Sequence, residues 1–184
     1  MKKNKSNLYI AGKRIYLREI EIADADRYYC DWLNDPQVNK YLESRFKKWS
    51  VKQLKSYIRK VKKSKDSIFM AVILKDSNQH IGNIKLGPIN PIHGFADMGI
   101  IIGEKSSWGK GLGSEAIRLA MNYAFNNLKI HKLTAGVYSN NIASIKAFKK
   151  AGFLTEGKRE KHYLYNGKYI DAVLFGCIGK RKLK

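Results

Sequence analysis

Metal ligands and disulfide partners are scarce in this chain, which has two cysteines and four histidines among 184 residues. Cys30 and Cys177 fall in an expected helix and an expected strand, without metal spacing, and read as reduced thiols. His80, His93, His131 and His162 are scattered and build no zinc pattern, so no metal is expected. Long apolar runs are also missing: no segment approaches the ~20 residues that span a bilayer. The opening Met1-Lys2-Lys3-Asn4-Lys5 is basic like a signal peptide. However, Leu8-Tyr9-Ile10-Ala11 is interrupted by Gly12-Lys13-Arg14 before an apolar region forms, so a cytoplasmic location is expected.

Acidic residues are the third shortage, with 15 Asp plus Glu against 36 Lys plus Arg and a formal net charge of +21. Such a field attracts anions. Lys47, Lys48, Lys52, Lys55, Arg59, Lys60, Lys62, Lys63 and Lys65 crowd one region, and Lys180, Arg181, Lys182 and Lys184 form a basic tail. A nucleic-acid-binding protein is therefore the rival class. Against it, the cations are not interleaved with exposed aromatics, no binding motif stands out, and lysine-rich helices commonly present solvated faces.

What is present fits one globular domain over residues 1–184, with a core from about 12 to 179 and short basic tails. Hydrophobic residues make up 44% of the chain, which argues against disorder. Arg14 to Arg18 alternates as a strand. A helix is expected from about Asp24 to Leu33, stopping at Asn34-Asp35-Pro36, and another from Ser50, where Ser50-Val51-Lys52-Gln53 has capping-box spacing. Ile68 to Leu74 and Ile81 to Leu86 read as strands around the turn Asp76-Ser77-Asn78. Tyr165-Asn166-Gly167-Lys168, between alternating segments, is the clearest hairpin signal. The expected fold class is α/β (α+β), with a mixed, mostly antiparallel central sheet flanked by helices.

The most informative stretch is Trp108-Gly109-Lys110-Gly111-Leu112-Gly113-Ser114-Glu115-Ala116. It lies between the buried-strand pattern Ala96 to Gly103 and a helix marked by Ala116, Ile117, Leu119, Ala120, Tyr123, Ala124, Phe125 and Leu128. Glycines let backbone N–H groups converge, and the helix that follows adds unpaired N–H groups and a positive dipole end. A pyrophosphate suits that cradle. No Gly-Lys-Ser/Thr closes the loop, so it is no Walker phosphate loop. The glycine spacing and the missing early βαβ unit exclude a Rossmann fingerprint.

A second strand follows, Leu133 to Tyr138, then Asn140-Asn141-Ile142-Ala143-Ser144 and a short helix that Asn141 would cap and Gly152 would end. Strand, glycine loop, helix, strand, Asn-x-x-Ser and Lys150-Ala151-Gly152-Phe153 in that order resemble the GNAT superfamily of acetyl-CoA-dependent N-acetyltransferases. The Trp-Gly-Lys-Gly form is similar to the branch with ribosomal-protein N-terminal and bacterial amino-sugar N-acetyltransferases. Two departures stand out. Trp108 replaces the Gln or Arg that commonly begins the loop, and Phe148 stands where many members carry a tyrosine as general acid.

The resemblance implies acetyl-CoA as cosubstrate, a primary amine as acceptor and direct attack in a ternary complex. Pyrophosphate would lie on the N–H groups of Gly109 to Ser114, bordered by Trp108 and Leu112, and the pantetheine along Ile100, Ile101 and Ile102. Lys110 would add positive charge or remain an exposed lysine. Asn141 would bond the pantetheine arm or only cap its helix, and Phe148 would border the cofactor. An α-amino group has a pKa of ~8 and a lysine ~10.4, so the amine must lose a proton. Asp97, where relatives commonly carry an acidic residue, is the candidate base through water, or else a carboxylate satisfied at the strand end. Ser144 is the candidate donor to the leaving thiolate, or a cap of its own helix.

Glu43 and Tyr163 are further acceptor-pocket candidates. Arg45, Phe46 and Trp49 offer the cation and flat rings that a nucleotide-linked amino sugar would need; alternatively they are core and surface residues. That sugar, in surface-glycan synthesis, is the expected acceptor, and a protein N-terminus such as that of a ribosomal subunit is the alternative. A homodimer is left open.

Overall fold

Strands form where β-branched and aromatic residues run together. The apolar Ile68–Leu74 makes a strand buried on both faces, in keeping with its position inside the sheet. The computed structural model describes residues 8–179, and the expected basic tails lie outside the described residues. Eight strands appear: β1 (Tyr9–Ala11), β2 (Ile15–Glu19), β3 (Ile68–Leu74), β4 (His80–Asn90), β5 (Phe95–Ile102), β6 (Lys132–Tyr138), β7 (Leu154–Tyr165) and β8 (Lys168–Ile178). They form one sheet in the order β1-β2-β3-β4-β5-β6-β8-β7, in which only the β5–β6 pair is parallel. The mixed, mostly antiparallel sheet with flanking helices is thus the architecture observed.

Among the described residues five α-helices flank it: α1 (Arg27–Asn34), α2 (Pro36–Asn39), α3 (Val51–Lys63), α4 (Leu112–Asn126) and α5 (Ile142–Ala151). Alternation along each strand divides the apolar side chains between two cores. Met70, Val72, Ile84, Leu86, Ala96, Met98 and Leu133 pack with α4 and α5. Phe69 and Ile101 turn the other way, toward Trp32, Leu54 and Ile58 of α1 and α3.

Local chemistry sets the boundaries. Ser50 and Gln53 close the expected capping box on α3, and Asn141 accepts from the Ser144 amide at 3.2 Å to start α5. Gly152 ends α5 at φ 107°. In the β7–β8 hairpin Asn166 and Gly167 both have positive φ, 48° and 76°, the conformation of a two-residue primed turn. The first helix starts later than its pattern suggests. Asp24 is drawn off by Arg18, at 2.6 and 2.7 Å, and Asp26 accepts the Tyr29 amide at 2.8 Å, so α1 begins at Arg27. β4 also runs beyond the expected Leu86 to Asn90, through a register shift between Leu86 and Ile89.

Candidate active site

The site begins where two strands part. β5 and β6 pair only at Phe95–Lys132, Ala96–Leu133 and Asp97–Thr134. Beyond Asp97, β5 continues beside β4 to the Gly82–Ile102 pair, while β6 follows β8 to the Tyr138–Ala172 pair. A wedge therefore opens between them. Along it the β6-facing peptide groups of β5 have no neighbouring strand, and an extended ligand with amides of its own can supply their hydrogen bonds.

The glycine loop sits at the open end of this wedge. Trp108 donates its indole N–H to the Ile102 carbonyl at 2.8 Å, which pins the loop to the end of β5. Gly109 and Gly111 have φ of 72° and 75°, the left-handed region that only glycine enters without strain. Gly111 is the N-cap of α4 and no side chain caps that helix, so the first-turn N–H groups of Leu112, Gly113 and Ser114 are left for a ligand at the positive dipole end. A Cβ on Gly113 would touch only Ile102, at 3.7 Å, which places the start of α4 directly against the wedge.

Asp97, Gly99 and Ile101 share one face with Thr134, Gly136 and Tyr138, opposite the α4/α5 core. Asp97, at the apex, accepts a hydrogen bond from the Thr134 hydroxyl. Past it the floor is glycine. Nothing lies within 4 Å of a Cβ built on Gly99, and at Gly136 only the Tyr163 hydroxyl does, at 3.3 Å. A trough is therefore open on this face of the sheet.

Its wall is aromatic. The Tyr138 hydroxyl donates to Glu43 Oε1 at 2.6 Å and accepts from Arg45 Nη1 at 2.7 Å. Burial and the Glu43 carboxylate push the Tyr138 phenol up to about 12, partly offset by Arg45, so it is a neutral donor at physiological pH. The Tyr163 ring lies parallel to Tyr138 at 4.0 Å, and Tyr41 stacks on Tyr165 at 5.4 Å. Burial, with Glu43 and Asp97 nearby, also raises the Tyr163 phenol, while Arg159 opposes the shift. Its hydroxyl has no hydrogen-bond partner among the described residues.

The expected site residues divide. Ile100 to Ile102 and Trp108 to Ser114 come together at the wedge, and Asp97, Glu43 and Tyr163 meet at the trough. Arg45 lies over the Phe46 ring at 4.1 Å, but Trp49 does not join them. Arg45 is consumed by Tyr138, the Leu42 carbonyl at 2.9 Å and the Leu164 carbonyl at 2.6 Å. Phe46 is 68% exposed, whereas Trp49 is 7% exposed and lies edge-on to Tyr57 in the second core. Phe148 is 2% exposed and packs between Phe153 and Phe175, so its ring belongs to the first core. Asn141 spends its side-chain oxygen on capping α5, in whose first turn Ser144 lies. Tyr138, Tyr41, Tyr165 and Thr134 also reach the site, although no local motif marks them. The one signal at Tyr138 is its place at the end of an apolar strand, just before Asn140-Asn141.

This arrangement can hold a phosphate-bearing, amide-bearing chain on one side of the sheet and an ammonium on the other. The trough supplies two carboxylates and several ring faces, which suit a cation. Among the described residues no group of His, Cys, Asp and Glu side chains could hold a metal ion, and no helix is long and apolar enough to cross a membrane.

Comparisons with known proteins agree with this geometry. A family model described as "Acetyltransferase (GNAT) domain" matches residues 14–154. The uncharacterized N-acetyltransferase p20 of Bacillus licheniformis is 29% identical over 168 residues, 90% of this chain and 93% of its own. The spermidine N(1)-acetyltransferase of Escherichia coli K12 is 34% identical over 106 residues, 58% of this chain and 56% of its own. Among solved structures, the spermidine N-acetyltransferase of Vibrio cholerae in complex with CoA and spermine superposes with a TM-score of 0.82 at 26% identity, covering 93% of this chain and 99% of that one.

Proposed function

This chain belongs to the GNAT acetyltransferase family, an acetyl-CoA-dependent N-acetyltransferase, and we propose that its acceptor is a primary amine received as an ammonium in the trough between Asp97 and Glu43. The observation that carries this reading is the parting of β5 from β6 after Asp97, beside an uncapped helix N-terminus. The residues fit the cosubstrate: the amides of Gly111 to Ser114 suit its pyrophosphate, and the open edge of β5 suits its pantetheine amides. Acetyl-CoA, when bound, supplies an activated acyl group.

The chain's own groups do the rest. Glu43 and the faces of Tyr138 and Tyr163 orient the ammonium. Asp97 takes its proton through water, leaving a neutral nucleophile. The open N–H groups near Ile100 to Ile102 face the negative charge that builds on the acyl oxygen. Ser144 offers its hydroxyl hydrogen bond to the departing sulfur, which leaves as a thiolate and takes its proton from water, with the unpartnered Tyr163 hydroxyl as the competing hydrogen-bond donor.

For the acceptor's body, the net charge of +21 weighs against a polycation and for a single ammonium on a neutral or anionic frame. A nucleotide-linked amino sugar satisfies this, with Lys40 at 5.3 Å from the Tyr41 ring and Arg159 beside Tyr163 as the cations for its phosphates in place of Arg45. A protein N-terminus is the alternative. The spermidine-acetylating relatives favour a third class, so the assay must include all three. Free thiol is followed with nucleotide-linked amino sugars, N-terminal peptides and spermidine over a range of salt. The expected result is turnover of an anionic amine with kcat/KM falling as salt rises. Turnover of spermidine alone, rising with salt, would overturn this assignment. A cytoplasmic setting fits a reaction that consumes acetyl-CoA.

A further inference from the structure

The glycine loop is held from the far end of the sequence. Glu115, in the first turn of α4, is 7% exposed. It accepts from the Arg14 amide at 2.8 Å, the Ile15 amide at 3.4 Å and Arg14 Nε at 3.0 Å. Burial pushes the Glu115 carboxyl up, but these donors outweigh it and hold the group below its usual range, so it is ionised at neutral pH. The fit is close: a Cβ on Gly12 would stand 2.7 Å from Glu115 Oε1.

Arg14 then spends Nη1 on the Lys110 carbonyl, in the middle of the loop, at 2.7 Å. An arginine that served only as an ion-pair partner would set its fork on the carboxylate with two parallel bonds. Instead, Nε goes to Glu115 and Nη1 to the loop. Nη2 has no partner among the described residues, and it lies 3.7 Å from where a Cβ on Gly111 would stand. The guanidinium is fixed on two sides, with its free N–H group beside the N-cap of α4.

We propose that Arg14 is a further cofactor residue: it fixes the glycine loop through Glu115 and the Lys110 carbonyl and offers Nη2 to the pyrophosphate of acetyl-CoA. This rests on the reading that residues 109–114 hold that pyrophosphate. It also assigns a task to an exposed cation that the glycine motif does not include. A lysine could supply charge there but not the planar fork that meets carboxylate, carbonyl and phosphate together.

The test is calorimetric titration of acetyl-CoA and of S-acetylpantetheine, which has the same thioester arm and no phosphate, with a thermal melt of each variant. Arg14→Ala is expected to weaken acetyl-CoA by about 10- to 100-fold, the worth of one or two charge-assisted hydrogen bonds, and S-acetylpantetheine by less than about 2-fold. Arg14→Lys should recover part of the loss. Glu115→Gln, which keeps an oxygen for the backbone donors, should show a smaller effect with the same ligand preference. If Arg14→Ala does not fold, Arg14→Lys and Glu115→Gln carry the comparison. Equal weakening of both ligands, or of neither, overturns the assignment for Arg14. A parent protein that binds both ligands alike overturns the pyrophosphate reading itself.

Discussion

From Ile100 to Ser114 the protein offers a ligand mostly peptide groups, whereas around Tyr138 it offers hydroxyls, a carboxylate and a guanidinium. The two halves meet at Asp97, yet they are built differently. The cofactor half needs particular backbone conformations, left-handed at Gly109 and Gly111 and uncapped at Leu112, within one short contiguous stretch. The acceptor half needs particular side chains brought from Glu43, Arg45, Tyr138 and Tyr163, with Glu43 and Tyr138 lying 95 residues apart and Arg45 anchored on the Leu164 carbonyl 119 residues away. A main-chain site can keep its ligand while exposed side chains change, but a side-chain site changes its ligand with each substitution.

If the halves are as separate as this, damage to one should spare the other. The largest effect is expected at their junction. Asp97→Asn should lower kcat by about 10²-fold or more at neutral pH, with partial recovery at high pH where free amine becomes abundant, and should leave acetyl-CoA affinity unchanged. A parental pH–rate profile would move the base to Glu43 or to solvent.

Next comes the loop. Gly111→Val forces a β-branched residue to φ near 75°, and acetyl-CoA affinity should fall by about 30-fold or more in a folded protein. Gly113→Ala, with ordinary contact at 3.7 Å and helical backbone, should be nearly silent in calorimetry. Equal losses at both glycines would mean that the loop is constrained by packing rather than by its turn.

A smaller change is expected on the acceptor side. Tyr138→Phe removes the donor to Glu43 and the acceptor for Arg45 while keeping the ring against Tyr163. The amine KM should rise about 5- to 10-fold, the worth of roughly one hydrogen bond to a charged group, with the acetyl-CoA KM constant.

The least selective lever is acid, because paired, shielded carboxylates lie both at the glycine loop, where Glu115 meets Arg14, and outside either half, where Asp24 meets Arg18. Burial raises Asp24 and Glu115, but Arg18 and Arg14 with nearby amides lower both below their ordinary values. Each therefore adds stability that is fully present above the unfolded-state pKa, about 3.9 for Asp and 4.3 for Glu, and is lost as the pH falls through the lowered folded value. Thermal melts should be flat from pH 7 to about 5 and drop below pH 4, and Glu115→Gln should make that drop shallower. A melting curve that rises on acidification would contradict the pairing.

The same contrast governs how much could be read from the sequence. Caps at Ser50, Asn141 and Gly152, the Asn166-Gly167 turn and the glycine loop are local backbone chemistry, and each formed where its residues indicated. The sheet was legible for the same reason, apart from the three-residue edge strand Tyr9–Ala11, too short to show alternation. Arg45, Phe46 and Trp49 looked like one unit because they are neighbours in sequence. In the fold, Trp49 enters the core under α3 while Arg45 turns to Tyr138 and the Leu164 carbonyl, a choice set by packing partners that no local pattern displays. The Arg14–Glu115 clamp was hidden likewise, its members 101 residues apart.

One steady-state experiment addresses the division directly. With acetyl-CoA and the accepted amine both varied, Gly111→Val should raise the acetyl-CoA KM and leave the amine KM within about 2-fold, and Glu43→Gln should do the reverse. If either substitution moves both constants together, the cofactor and acceptor halves form one coupled site, and the division between a main-chain half and a side-chain half is wrong.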